Sequence, residues 1–159
     1  MLSSGEARVE ARTNLNGPHP LLTDAAHNRA FKMERSNVVK TCLVVDDSRV
    51  IRKVARRILE DIGFEIAEAS DGMEALAWCR AAMPDAILLD WNMPVMNGID
   101  FLRLLRAEPG GGAPRVVFCS VETEPERIRE ALDAGASEYI MKPFDGDIIE
   151  AKFAEAGLV

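Results

Sequence analysis

Cysteine is scarce in this chain of 159 residues, with Cys42, Cys79 and Cys119 at spacings that match no metal-binding pattern and in an odd number that cannot all pair. Cys42 and Cys119 lie within strand-like apolar runs, where a free thiol serves as a small hydrophobe. No disulfide framework is expected, and a reducing compartment is. Long apolar runs are missing too: none approaches the about 18 residues that cross a bilayer, and the N-terminus has no apolar signal core. A cytoplasmic location follows as an expectation. Basic charge is in deficit, with 19 Lys and Arg against 26 Asp and Glu, giving a net charge of -7. Nucleic acid and anionic membrane both demand basic surface, so neither is expected as the main partner. Histidine occurs only as His19 and His27. What remains is 48% hydrophobic, enough for one domain with a single core plus a tail.

Residues 1 to 38 show no sustained period and contain Asn16-Gly17-Pro18 and His19-Pro20 breakers, so they read as a disordered extension. Met33 is a candidate true start, with a short amphipathic segment near Ala25 to Met33 as the competing use of this stretch. Over residues 1–32 the bases (Arg8, Arg12, Arg29, Lys32) and acids (Glu6, Glu10, Asp24) nearly balance, which leaves the negative charge to the folded part.

From Lys40 onward, strand and helix signals alternate. Thr41 to Asp46 reads as a strand. Ser48 caps a helix whose apolar stripe runs Ile51, Val54, Ala55, Ile58, Leu59 and Ile62. Gly63 ends that helix, and Phe64 to Ala69 is a second strand. A helix over Gly72 to Ala82 stops at Pro84, and Ala86 to Leu89 is an apolar run too short to be a helix. Asn97-Gly98 opens a third helix to about Arg106, and Arg115 to Cys119 is strand four. Glu124-Pro125 starts a helix that Gly135 ends; Glu138 to Met141 is strand five, and Asp147 to Ala156 the last helix. This alternation predicts βαβ units, right-handed crossovers and a doubly wound, five-stranded parallel sheet with helices on both faces. No stretch is left over for an output domain, so output is expected to act through the domain's own surface.

Four of the five apolar strands stop at residues that can do chemistry: Asp46-Asp47, Asp90, Ser120 and Lys142-Pro143. Taken singly these have bland readings: a helix cap and a turn acid, a surface turn, a loop hydroxyl. In an open parallel sheet, however, the carboxyl ends of the strands gather at one crevice. Three acids there repel one another unless a hard divalent cation neutralises them. Asp46, Asp47 and Asp90 supply anionic oxygens for Mg²⁺, with Mn²⁺ as a substitute, and the Asn92 backbone carbonyl can add another. Asp90 is the candidate nucleophile toward phosphorus; Lys142 and Ser120 can hold phosphoryl oxygens.

The chain resembles response-regulator receiver domains of two-component signalling, closest in style to CheY-type chemotaxis regulators. The residues that carry the likeness are Val44-Val45-Asp46-Asp47-Ser48, Leu89-Asp90-Trp91-Asn92-Met93-Pro94, Met96-Asn97-Gly98, Ser120, Gly135-Ala136 and Lys142-Pro143-Phe144. The resemblance implies sheet order 2-1-3-4-5, Asp90 as phosphoacceptor, Asp46 and Asp47 as metal-binding acids, and a cis bond before Pro143. It implies Ser120 as the switch hydroxyl and Tyr139 as the switch aromatic; the bland reading of Tyr139 is a half-buried edge residue. Asn92 and Glu122 fall where the family sets the rate of dephosphorylation. Val121 departs from the small residue usual after the switch hydroxyl and is expected to crowd Tyr139.

With no histidine after residue 27, the domain cannot itself carry phosphohistidine, so a sensor histidine kinase or a histidine phosphotransfer protein is the expected donor. The expected product is a monomeric binding module that switches its helix four, strand five and helix five face toward a chemotaxis or motility target. A phosphorelay intermediate is the alternative. An Mg²⁺-dependent aspartate-nucleophile phosphatase is more remote, because it needs an acid where Asn92 stands. A scaffold that ignores phosphorylation is disfavoured by the complete set of site residues.

Overall fold

Alternate residues of a strand face opposite sides of a sheet, and here both sides are apolar, as a parallel sheet between two helix layers requires. The computed structural model describes residues 38–159. The disorder expected of the N-terminal extension and the start at Met33 lie outside the described residues. Val39–Val159 forms one compact unit. Its elements run β1 Thr41–Val45, α1 Arg49–Asp61, β2 Glu65–Ala69, α2 Gly72–Ala81, β3 Ala86–Leu89, α3 Gly98–Ala107, β4 Arg115–Ser120, α4 Pro125–Asp133, β5 Glu138–Met141 and α5 Gly146–Glu155. The sheet is parallel throughout, as the alternation of strands and helices predicts, and its order β2-β1-β3-β4-β5 is the one the resemblance implies.

Leu43, Val45, Ile87, Leu89, Val116 and Phe118 point to one face, where α2, α3 and α4 cover them with Leu76, Phe101, Leu102, Leu105 and Ala131. Cys42, Val44, Leu88, Val117, Cys119 and Ile140 point to the other, under Ala55 and Leu59 of α1 and Ile149 and Phe153 of α5. Phe64 meets Phe153 edge-on at 5.5 Å between ring centroids, which locks the β2 entrance to α5. Burial pushes the Cys42 and Cys119 thiols up to about 12, so both behave as the small hydrophobes their positions suggest. No described helix is long and apolar enough to cross a membrane.

Helix starts follow local chemistry. Ser48, Asp71, Asn97 and Asp145 each accept a hydrogen bond from a first-turn amide, at Ile51, Glu74, Asp100 and Ile148. Gly63 and Gly135 end α1 and α4 with φ of 103° and 110°, backbone that side-chain-bearing residues rarely adopt. One member of the expected α1 stripe is misplaced: Val54 is 45% exposed. A stripe at i and i+4 drifts around the helix, and α1 buries only Ala55 and Leu59 fully. Val54 therefore comes round to water.

Candidate functional site

The strand order makes the crevice. The chain leaves β1 toward β2 and returns past it to β3, so the connections diverge between β1 and β3, where an open α/β sheet binds its ligand. Val45 pairs with Leu89, so Asp46 and Asp90 emerge side by side, and the Asp90 amide donates to the Val45 carbonyl at 2.8 Å. Ser120 pairs with Met141, and the Lys142 amide donates to the Ser120 carbonyl at 2.9 Å. Asp46, Asp90, Ser120 and Lys142 therefore line one sheet edge. Asp46, Asp90 and Ser120 are the buried polar residues among the described ones.

Burying carboxylates demands partners, and each has them. Lys142 reaches back across β4 and β3, placing Nζ 2.7 Å from Asp46 Oδ2 and 3.2 Å from Asp90 Oδ1. Asp46 Oδ1 accepts from the Ser48 amide at 2.8 Å, and Asp90 Oδ1 from the Trp91 amide at 2.9 Å. Burial and the Asp46 charge push the Asp90 carboxyl up to about 6, against the pull of Lys142. Burial works against the Lys142 ammonium, but its hydrogen bond to Asp46 and the neighbouring charges hold it above its ordinary value. Asp47, exposed at the mouth, brings a third acid: one oxygen each from Asp46, Asp47 and Asp90 lie within 4.8 Å of one another. Clustered hard anionic oxygens with neither thiolate nor imidazole among them fit Mg²⁺ or Mn²⁺.

Around this cluster the loops are tightly fixed. A Cβ on Gly98 would overlap the Asp90 carbonyl oxygen, so only glycine lets the start of α3 press on the chain just after β3. The Gly98 amide donates to the Trp91 carbonyl at 2.8 Å. Trp91 is buried, 5.2 Å from Phe118, and Phe118 stacks on Tyr139 at 6.1 Å. Lys142-Pro143 is cis, as expected.

Glu122 contributes backbone to the site: its amide donates to Ser120 Oγ at 3.3 Å, and its carbonyl accepts from the Tyr139 hydroxyl at 3.1 Å. Asn92 stands exposed beside Trp91. The crowding expected from Val121 does not occur. Ser120 ends β4 with its side chain inside, so the next residue turns out, and Val121 is 64% exposed. Tyr139 sits inward beside it, half-buried on Phe118.

Sequence reasoning missed two arginines. Arg52 donates from Nη1 to the Asp46 carbonyl at 2.7 Å, and the Arg127 guanidinium lies 5.3 Å from the Trp91 ring centroid. Only the position of Arg52 four residues after Ser48, one helical turn in from the cap, hinted that it could fold back on the acidic turn.

Residues 42–154 match the family model of the response regulator receiver domain. Over 111 residues the chain is 38% identical to the chemotaxis protein CheY of Pseudomonas aeruginosa, covering 69% of this chain and 90% of that protein. The identity is also 38% to CheY-3 of Vibrio cholerae, of which 85% is covered. Among solved structures, CheY4 of Vibrio cholerae superposes with a TM-score of 0.71 at 34% identity, covering 75% of this chain and 99% of that one. CheY in a CheX-CheY-BeF3-Mg²⁺ complex from Borrelia burgdorferi gives 0.73 at 26% identity, covering 79% and 95%. A parallel sheet of order 2-1-3-4-5, an acidic crevice at its switch point and these matches lead to one conclusion: the chain belongs to the response regulator receiver domain family and is CheY-like.

Proposed function

We propose that Asp90 accepts a phosphoryl group from phosphohistidine on a sensor kinase or histidine phosphotransfer protein, and that the resulting acyl phosphate switches the α4-β5-α5 surface toward a motility target. The observation that carries this reading is the buried Asp46-Asp90-Lys142 cluster with Asp47 at its mouth, which gathers three acids and an ammonium at the switch point of the sheet. Asp90 Oδ1 is engaged by the Trp91 amide and Lys142, which leaves Oδ2 to attack. The new bond forms between Asp90 and phosphorus as the phosphorus–nitrogen bond of the donor breaks, and the departing imidazole takes a proton from solvent. Asp46, Asp47 and Asp90, with the Asn92 carbonyl, would hold Mg²⁺. The ion, when bound, offsets the negative charge that gathers as carboxylate and phosphoryl group meet.

Lys142 then turns its ammonium to the phosphoryl oxygens, and Ser120 donates its hydroxyl proton to another. The Ser120 oxygen already accepts from the Glu122 amide, so drawing the hydroxyl toward phosphate pulls on the backbone that also holds the Tyr139 hydroxyl. That gives the switch a physical path to β5. The chemotaxis names of the relatives support a motility output over a phosphorelay role. The phosphatase reading lacks its second acid, since Asn92 stands two residues after Asp90.

The test is intact-mass spectrometry after incubation with a phosphoramidate donor, with and without Mg²⁺. Wild type gains one phosphate only with Mg²⁺, and Asp90→Asn gains none. Full labelling of Asp90→Asn would overturn the assignment.

A further inference from the structure

The Asp46-Asp47 turn has to aim two carboxylates into the crevice, yet Asp47 is exposed and nothing on its own side chain fixes it. What fixes the peptide between them comes from α1 and β2. Arg52 donates from Nη1 to the Asp46 carbonyl at 2.7 Å while its Nε donates to Glu68 Oε1 at 3.1 Å. The other Glu68 oxygen accepts from Arg56 Nε at 2.7 Å, and Arg56 Nη1 reaches Glu60 at 2.9 Å. The Arg52 side chain is only 16% exposed, so its fork is held in place by packing as well as by these bonds. The Asp46 amide is tied separately, donating to the Ala69 carbonyl at 3.1 Å on the same strand β2.

We propose that Arg52, oriented by Glu68, is a positioning residue that braces the Asp46-Asp47 turn and so sets the metal affinity of the crevice. The inference rests on reading the three aspartates as the Mg²⁺ site. Two effects of Arg52 oppose each other, which makes the inference decidable. As a cation beside an acidic cluster, Arg52 by itself weakens binding of a divalent ion, so its removal ought to tighten binding. As a brace it holds the ligands in place, so its removal ought to weaken binding, as loss of a group that orients metal ligands does. Glu68 neutralises the Arg52 charge, which tips the balance toward bracing.

The experiment is a Mg²⁺ titration followed by Trp91 fluorescence in a Trp78→Phe background, because Trp78 is exposed and adds signal unrelated to the site. Melting curves of each variant accompany it, and binding is read well below every transition. Arg52→Gln removes the charge; Arg52→Lys keeps the charge but loses the fork. Both should weaken Mg²⁺ by about 10-fold, and Glu68→Gln by about 3-fold. Arg56→Gln breaks the same ladder one step away from Asp46 and should change affinity by less than about 2-fold. Unchanged or tighter binding in Arg52→Gln, unchanged binding in Arg52→Lys, or an equal loss in Arg56→Gln would each overturn the bracing role. Asp47→Ala separates the two readings: it removes a ligand and should abolish the response. If Asp47→Ala still binds like wild type, the metal site itself is wrong and the bracing role falls with it.

Discussion

Val95 is held at φ 69°, in the left-handed region that a β-branched residue avoids, and its side chain is 80% exposed. No packing repays the strain, so Val95→Gly or Val95→Asn should raise stability by about 1 kcal/mol in urea denaturation. A loss of stability would mean that the loop is not strained there. Asp90 stores a different cost. The folded protein holds its proton more tightly than an unfolded chain does, with the carboxyl up at about 6. Its ionisation therefore costs folding free energy above that pH, and the cost vanishes as pH falls below the ordinary carboxylate value. In EDTA at about pH 7.5, Asp90→Asn should be more stable than wild type by about 1–2 kcal/mol, the full shift being discounted for water at the crevice mouth. The gap should close toward about pH 4.5. Paired urea titrations at the two pH values check this, and a gap that widens in acid sinks it.

At the level of elements, single side chains hold connections that apolar packing leaves loose. Arg106, near the end of α3, donates to the carbonyls of Gly111, Pro114 and Gly135, at 2.8, 2.8 and 2.7 Å. It ties the loop before β4 to the turn between α4 and β5. Arg106→Met leaves all three carbonyls without that donor and should cost about 2–4 kcal/mol, measured by thermal or chemical unfolding. A cost below about 0.5 kcal/mol would show that water replaces the guanidinium freely. Gly98 works the opposite way, through the absence of a side chain. Gly98→Ala forces a methyl into the Asp90 carbonyl, so it should destabilise the fold and also disturb the acidic site.

For the molecule as a whole, the proposed cycle has to end as well as begin. Hydrolysis of the acyl phosphate needs a water in line with phosphorus, and Asn92 and Glu122 flank the approach to Asp90 by position. Both are polar, and neither forms an apolar lid. We expect a phosphoryl lifetime of seconds to a few minutes, suited to a behavioural switch. Glu122→Arg should slow decay several-fold by pairing with phosphate oxygens. Loss of radiolabel from Asp90 measures both, and a wild-type lifetime of hours would refute rapid reset. Cation binding also ought to relieve the repulsion among the three aspartates. Added Mg²⁺ and Asp47→Asn should therefore each raise the melting temperature.

The sequence by itself determined what local chemistry controls. Apolar runs ending in Asp46, Asp90, Ser120 and Lys142 told of a parallel sheet and its crevice, since periodicity and strand ends are written in consecutive residues. Ser48 and Asn97 marked helix starts within a turn, because a cap bonds an amide three residues on. Only tertiary structure decided that Arg52 grips the Asp46 carbonyl, that Arg127 lies over Trp91, and that Lys142 bridges Asp46 and Asp90 rather than facing one partner. It also decided that Val121 and Val54 turn to water. A long side chain can reach several partners at similar cost, and a residue at a strand end or on a helix flank can face either way. Which option wins depends on what neighbouring elements bring within a few ångströms, and that is fixed by packing of segments far apart in the chain.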